Sequence, residues 1–120
     1  MVKILIVDDS SFARQRLRLM FEMQGHEVVG LAGDGDEALA QYKKFKPDVV
    51  TLDHLMTGKN GEQVLSDLLK FDPDVKVIMV SGSGDHAIEE RVLEAGAKAF
   101  VQKFNPQHSF LRAIEQVTAC

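Results

Sequence analysis

KILIVDDSS, residues 3–11, is the stretch from which the fold is read. An unbroken apolar run, Ile4 to Val7, ends in two adjacent carboxylates, Asp8 and Asp9. Neighbouring acids disfavour each other's ionisation, so the pair needs water, a hydrogen-bond donor or a cation. Asp also caps helices, and a strand–cap–helix junction is the plainer explanation. Outward from this stretch the chain alternates. Apolar runs of strand length lie at 2–7, 27–31, 48–52, 75–80 and 98–102, separated by amphipathic stretches at 11–24, 35–45, 61–71, 85–95 and 107–118. Ala13, Leu17, Met20 and Phe21 recur at helical spacing in the first of these, and Val64, Leu65, Leu68 and Leu69 in the third. Gly25 follows the first helix, Pro47 and Pro73 precede strands, and Asn105–Pro106 reads as a cap with a first-turn proline.

Five βα units without repeats or low-complexity linkers imply an α/β fold: a doubly wound, open parallel sheet with helices on both faces. The first, third and fourth apolar runs are continuous, as central strands covered on both sides should be. At 120 residues the chain fits one domain, 1–120, large enough for an apolar core. Apolar residues make up 45% and charged residues 27%, ordinary for a soluble globular protein. A net charge of −4 argues against nucleic-acid binding as the main activity, since phosphate contacts need clustered Lys and Arg. The groups Arg14, Arg16, Arg18 and Lys43, Lys44, Lys46 read as solvated helix faces. A single cysteine, Cys120, fits a reducing, cytoplasmic setting. Met1 leads straight into the first strand, leaving no room for a signal peptide, and no apolar stretch approaches the roughly 18 residues that span a bilayer.

In such sheets ligands sit beyond the carboxyl ends of the strands. After the first strand come Asp8 and Asp9, after the third Asp53, after the fourth Ser81 and after the fifth Lys103, whereas the second ends in Leu31, Ala32 and Gly33. Capping alone does not explain this, because Asp53 and Lys103 precede loops. Three clustered acids call for a divalent cation, and oxygen-only ligation with open positions suits Mg²⁺. A cation would let Asp53 stay ionised as a nucleophile toward a phosphoryl group, with Lys103 and Ser81 holding phosphoryl oxygens.

IVDDSSFAR, VVTLD followed by G-x-N-G (Gly58 to Gly61), VIMVSGS and EAGAKAFVQK, with their spacing, resemble the receiver domain of two-component response regulators over the whole chain. The resemblance implies a flavodoxin-like, five-stranded sheet of order 2-1-3-4-5, of the chemotaxis-receiver type. It implies Asp53 as phosphoacceptor and Asp8, Asp9 and Asp53 as Mg²⁺ ligands, with Asp9 favoured over Asp8 for direct contact. The backbone carbonyl of Leu55 would be a further ligand. Ser81 matches the family's hydroxyl position, Lys103 its phosphate-contacting lysine, and Phe100 its aromatic switch position. The implied reaction is transfer from a phosphohistidine on a sensor histidine kinase or phosphotransfer protein, followed by slow hydrolysis. The domain would catalyse nothing beyond its own phosphorylation and dephosphorylation. Phosphorylation would draw Ser81 inward, move Phe100 and alter the face of the fourth helix, fifth strand and fifth helix toward an unspecified output protein. With no linker or output domain after the fifth helix, the chain either signals by binding alone or is a receiver cut from a larger regulator.

Three positions depart from the family pattern. Phe104 follows Lys103 where a cis proline is usual; a cis bond before a non-proline residue costs about 2.5–4 kcal/mol, so a trans bond and an altered loop are expected. Thr57–Gly58 stands where Pro-Gly is usual, and His54 where an aliphatic residue is usual. His54 is expected to be a partly packed neighbour, and His26, His86 and His108 to be surface positions. Asp34 and Asp36 are expected to cap the second helix, and the methionines to fill the core. Nucleotide binding is excluded: SGSGD (81–85) has no third glycine in register, and TGKNG (57–61) lacks the rest of a P-loop. A haloacid-dehalogenase-like phosphatase would need a second Asp two residues after Asp8, where Ser10 stands. A degenerate receiver that binds partners without phosphorylation is the remaining alternative.

Overall fold

A computed structural model of the chain describes residues 2–56, 58–82, 85–103 and 106–118, the side chains of 106–109 excepted. The expectations for Thr57, the middle of SGSGD, Phe104, the Asn105–Pro106 cap, His108 and Cys120 lie outside the described residues. Five strands, β1 (Lys3–Val7), β2 (Glu27–Ala32), β3 (Val49–Asp53), β4 (Val77–Ser81) and β5 (Ala99–Gln102), alternate with five helices. These are α1 (Ser11–Met23), α2 (Gly35–Phe45), α3 (Gly61–Phe71), α4 (His86–Glu94) and α5 (Pro106–Thr118). The strands are parallel in the order β2-β1-β3-β4-β5, as the resemblance implied. β4 starts two residues later than the apolar run suggested. The Val75 N–H turns back to the Asp72 carbonyl at 3.1 Å, so Val75 closes a turn before the ladder begins.

Period-two alternation splits the core between the two faces of the sheet. Leu5, Val7, Val50, Leu52, Val77 and Met79 pack under α2, α3 and α4. Ile4, Ile6, Val49, Ile78, Val80 and Val101 pack under α1 and α5, where Phe21 and Phe110 meet edge to face at 5.3 Å. Met20 and Met79 are core residues, but Met23 is exposed at the end of α1. Among the described residues, no helix is long and apolar enough to cross a membrane.

Local chemistry sets where the helices begin, and so what stands before them. Asp34 caps α2, its carboxylate accepting from the Glu37 N–H at 2.8 Å, while Asp36 lies inside the first turn. Asn60 and Gln63 form a reciprocal capping box on α3, each side chain accepting from the other's backbone N–H at 3.0 Å. Asn60→Ala removes one of the two bonds. It is expected to cost about 1 kcal/mol, read as a lower urea midpoint at unchanged m-value.

Candidate functional site

The charged pair that ends β1 is not the cap of α1. Ser10 is: its hydroxyl accepts from the Ala13 N–H at 3.2 Å. Asp8 is buried, and its Oδ1 accepts from the Ser10 N–H at 2.9 Å, while Asp9 is exposed beside it. With capping assigned to Ser10, the second carboxylate has to be explained by the site. Asp53 ends β3 with 3% of its surface exposed. Carboxylate oxygens of Asp8, Asp9 and Asp53 lie within 4.8 Å of one another. Lys103, following β5, sets its Nζ 3.0 Å from Asp53 Oδ2 and 3.3 Å from Asp8 Oδ2. Its backbone N–H donates to the Ser81 carbonyl at 2.8 Å, tying the ends of β4 and β5 together. Ser81 is buried at the end of β4. Thus Asp8, Asp9, Asp53, Ser81 and Lys103 all stand at the carboxyl edge of the sheet.

Leu55 has an exposed side chain, but its backbone N–H points at Asp53 Oδ1 across a long 3.4 Å. Phe100 is half-buried and packs against the core on the α2–α4 side. It lines a groove of about 610 Å³ with His86, Glu89, Leu93, Gln102 and Arg112, between α4 and α5.

Burial pushes the Asp53 carboxyl up to about 6, and the Asp8 charge adds to the rise. The Lys103 ammonium and the Leu55 N–H pull the other way without winning. Burial works against the charge on Lys103, but Asp53 and then Asp8 outweigh it and raise its pKa. One ammonium is therefore too little positive charge for this cluster. The donor set is all carboxylate oxygen, the ligand chemistry of Mg²⁺, so these residues fit that ion.

One group at the site departs from its sequence reading, and a second, His54, packs as expected. Arg14 is not on a solvated face: its Nη1 donates to the Asp8 carbonyl at 2.6 Å, holding the end of β1 from α1. Its spacing from Leu17 and Phe21 (i, i+3, i+7) puts it on the inward stripe, a signal that its charge obscured. His54 is buried, as a packed neighbour of Asp53, and its Nε2 lies 2.9 Å from Glu62 Oε2. Away from the site, His26 is no surface residue. It is half-buried, with Nδ1 accepting from the Val2 N–H at 3.2 Å and Nε2 buried without a partner among the described residues, and burial lowers its pKa.

A model of the response regulator receiver domain matches residues 4–115, and the chain belongs to this family, the receiver domains of two-component systems. The chain is 41% identical over 105 residues to a chemotaxis protein CheY of Thermotoga maritima, covering 87% of this chain and 88% of that one. It is 39% identical over 117 residues to protein CcdB of Bacillus subtilis, covering 98% of both. Among solved structures it is similar to the CheX–CheY–BeF3–Mg²⁺ complex of Borrelia burgdorferi. There the TM-score is 0.93 at 34% identity, over 98% of this chain and 90% of that one. Family membership sets aside the dehalogenase-like phosphatase.

Proposed function

We propose that residues 1–120 act as one receiver unit that takes a phosphoryl group onto Asp53 from a phosphohistidine of a sensor histidine kinase or phosphotransfer protein. The observation that carries this reading is the buried Asp53 carboxylate, joined to Lys103 at 3.0 Å and grouped with Asp8 and Asp9. An Asp53 oxygen attacks phosphorus, the bond from phosphorus to the imidazole nitrogen breaks, and the electron pair leaves with the nitrogen. Lys103 Nζ, already beside Oδ2, follows the charge onto the phosphoryl oxygens, and the Ser81 hydroxyl takes another of them. Asp8, Asp9, Asp53 and the Leu55 carbonyl would hold Mg²⁺, which supplies positive charge against the acids and the phosphoryl group.

The acyl phosphate adds a dianionic group beside Ser81. Drawing Ser81 and the loop after β4 inward moves Phe100 and reshapes the α4–β5–α5 groove that an output protein reads. The Borrelia relative, solved with CheX, BeF3 and Mg²⁺, supports both the metal and a protein partner. The protein works in the cytoplasm, where sensor kinases present phosphohistidine.

The test is intact mass after incubation with acetyl phosphate, with and without Mg²⁺, on wild type and Asp53→Asn. Gain of one phosphoryl group only with Mg²⁺, lost in the variant, is the expected result. No gain while Mg²⁺ still binds would favour a degenerate receiver that works by partner binding. Modification persisting in the variant would move the nucleophile elsewhere.

A further inference from the structure

α4 is short and buries one residue, Val92, so apolar packing holds it lightly. A polar anchor ties it to α3. Arg91 donates twice to Glu62, from Nε to Oε1 and from Nη2 to Oε2, both at 2.7 Å. The fork matches the carboxylate plane, the geometry in which an arginine–carboxylate pair is strongest. Glu62 Oε2 also bonds His54 Nε2 at 2.9 Å. An ionised carboxylate only accepts, so Nε2 donates, while Nδ1 is buried and has no hydrogen-bond partner among the described residues. Side-chain exposure falls along this line from 55% at Arg91 through 26% at Glu62 to 9% at His54, so it runs from the surface of α4 into the acceptor loop.

The inner end is fixed in its turn. The His54 N–H donates to the Val80 carbonyl at 2.8 Å, and the His54 carbonyl accepts from the Gly61 N–H at 2.9 Å. His54 lies between Asp53 and Leu55, so any shift of its ring pulls on the backbone that carries both.

We infer that Arg91, Glu62 and His54 form a positioning relay that holds the Asp53–Leu55 segment in its reactive geometry and makes that geometry depend on where α4 sits. This rests on the reading of Asp53 as phosphoacceptor. Arg91 faces α3, whereas His86, Glu89 and Leu93 line the groove toward α5. A partner seated in the groove can thus displace α4 without touching the relay, and the relay carries the displacement inward. Linkage makes the effect mutual: phosphorylation biases α4, and α4 biases reactivity.

The test uses Arg91→Ala, His54→Leu, His54→Gln and the Arg91→Ala/His54→Leu double variant, each first checked for a cooperative unfolding transition. Two readouts are taken: the rate of phosphoryl uptake from acetyl phosphate in Mg²⁺, and the metal-free amide signals and hydrogen exchange of Leu55 and Gly61. Arg91→Ala alters no atom of the acidic site, yet it is expected to slow uptake about 5-fold or more, to shift both amide signals and to speed Gly61 exchange. His54→Leu should act alike, and the double variant should be no worse than His54→Leu alone, because links of one chain do not add. Glutamine at 54 retains an N–H donor and should restore most of the rate lost with leucine. Wild-type rate and unmoved amides in Arg91→Ala would overturn the relay. If wild type takes up no phosphoryl group, the phosphoacceptor reading fails instead, and the amide signals alone decide whether Arg91 reaches the loop.

Discussion

Asp53→Asn is expected to stabilise the metal-free protein by about 3 kcal/mol at pH 8, an advantage that disappears as the pH falls toward 4. The sign follows from the direction of the shift. The folded pKa of Asp53 is raised from 3.8 to about 6, by burial first and by Asp8 second. Between those values the native state keeps a proton that the unfolded chain has released. Raising the pH from about 4 to about 6 therefore costs stability, and above that range the loss is complete and constant. Asparagine has no such proton to lose, and its carbonyl oxygen can still accept from Lys103. Urea unfolding of both proteins in a chelator, from pH 4 to pH 8, reads the difference directly. A variant no more stable than wild type at pH 8, or a gap that does not close on acidification, would show that Lys103 already offsets the buried charge. Added Mg²⁺ should narrow the gap from the wild-type side, by about 2.7 kcal/mol at a hundred times its dissociation constant.

The acidic groups at the strand ends are the part of the site most legible in the sequence. Strand ends are readable because a buried apolar run cannot stop on Asp, Ser or Lys without a reason. The lengths of the runs alone put Asp8, Asp53, Ser81 and Lys103 at one edge of the sheet. Sheet order was not readable that way: periodicity makes five βα units, and only the family resemblance ordered them 2-1-3-4-5. The cap of α1 was ambiguous because Asp8, Asp9, Ser10 and Ser11 can all cap, and geometry selected Ser10. Arg14 was misread because a charged residue on an inward stripe looks like solvated surface until its carbonyl partner is known. The contact between Glu62 and Arg91 joins residues 29 apart, on two helices that share one face of the sheet, and no local pattern encodes it.

Gly61→Ala is the second large effect, expected to destabilise the protein by about 2 kcal/mol although it replaces a helical glycine by the best helix former. Propensity and reduced freedom of the unfolded chain would each favour alanine, by up to about 1 kcal/mol. Against them stands a collision. A Cβ at Gly61 would overlap the Asp53 carbonyl oxygen and lie 2.8 Å from His54 Cα and 3.1 Å from the Asp53 carbonyl carbon. All three are backbone atoms at the end of a central strand, so no side chain can rotate away. Two glycines of the G-x-N-G stretch thus differ in purpose: Gly58 adopts a positive φ of 83°, whereas Gly61 is needed for the closeness of α3 to β3. Alanine at 61 must either lift the start of α3, breaking the Gly61–His54 hydrogen bond, or push the Asp53 backbone away from Lys103. A lower urea midpoint, with faster exchange at the residue-61 amide and slower phosphoryl uptake, is the expected combination. Stability equal to wild type would mean that α3 can rise freely, and that its first turn does not hold the end of β3 in place.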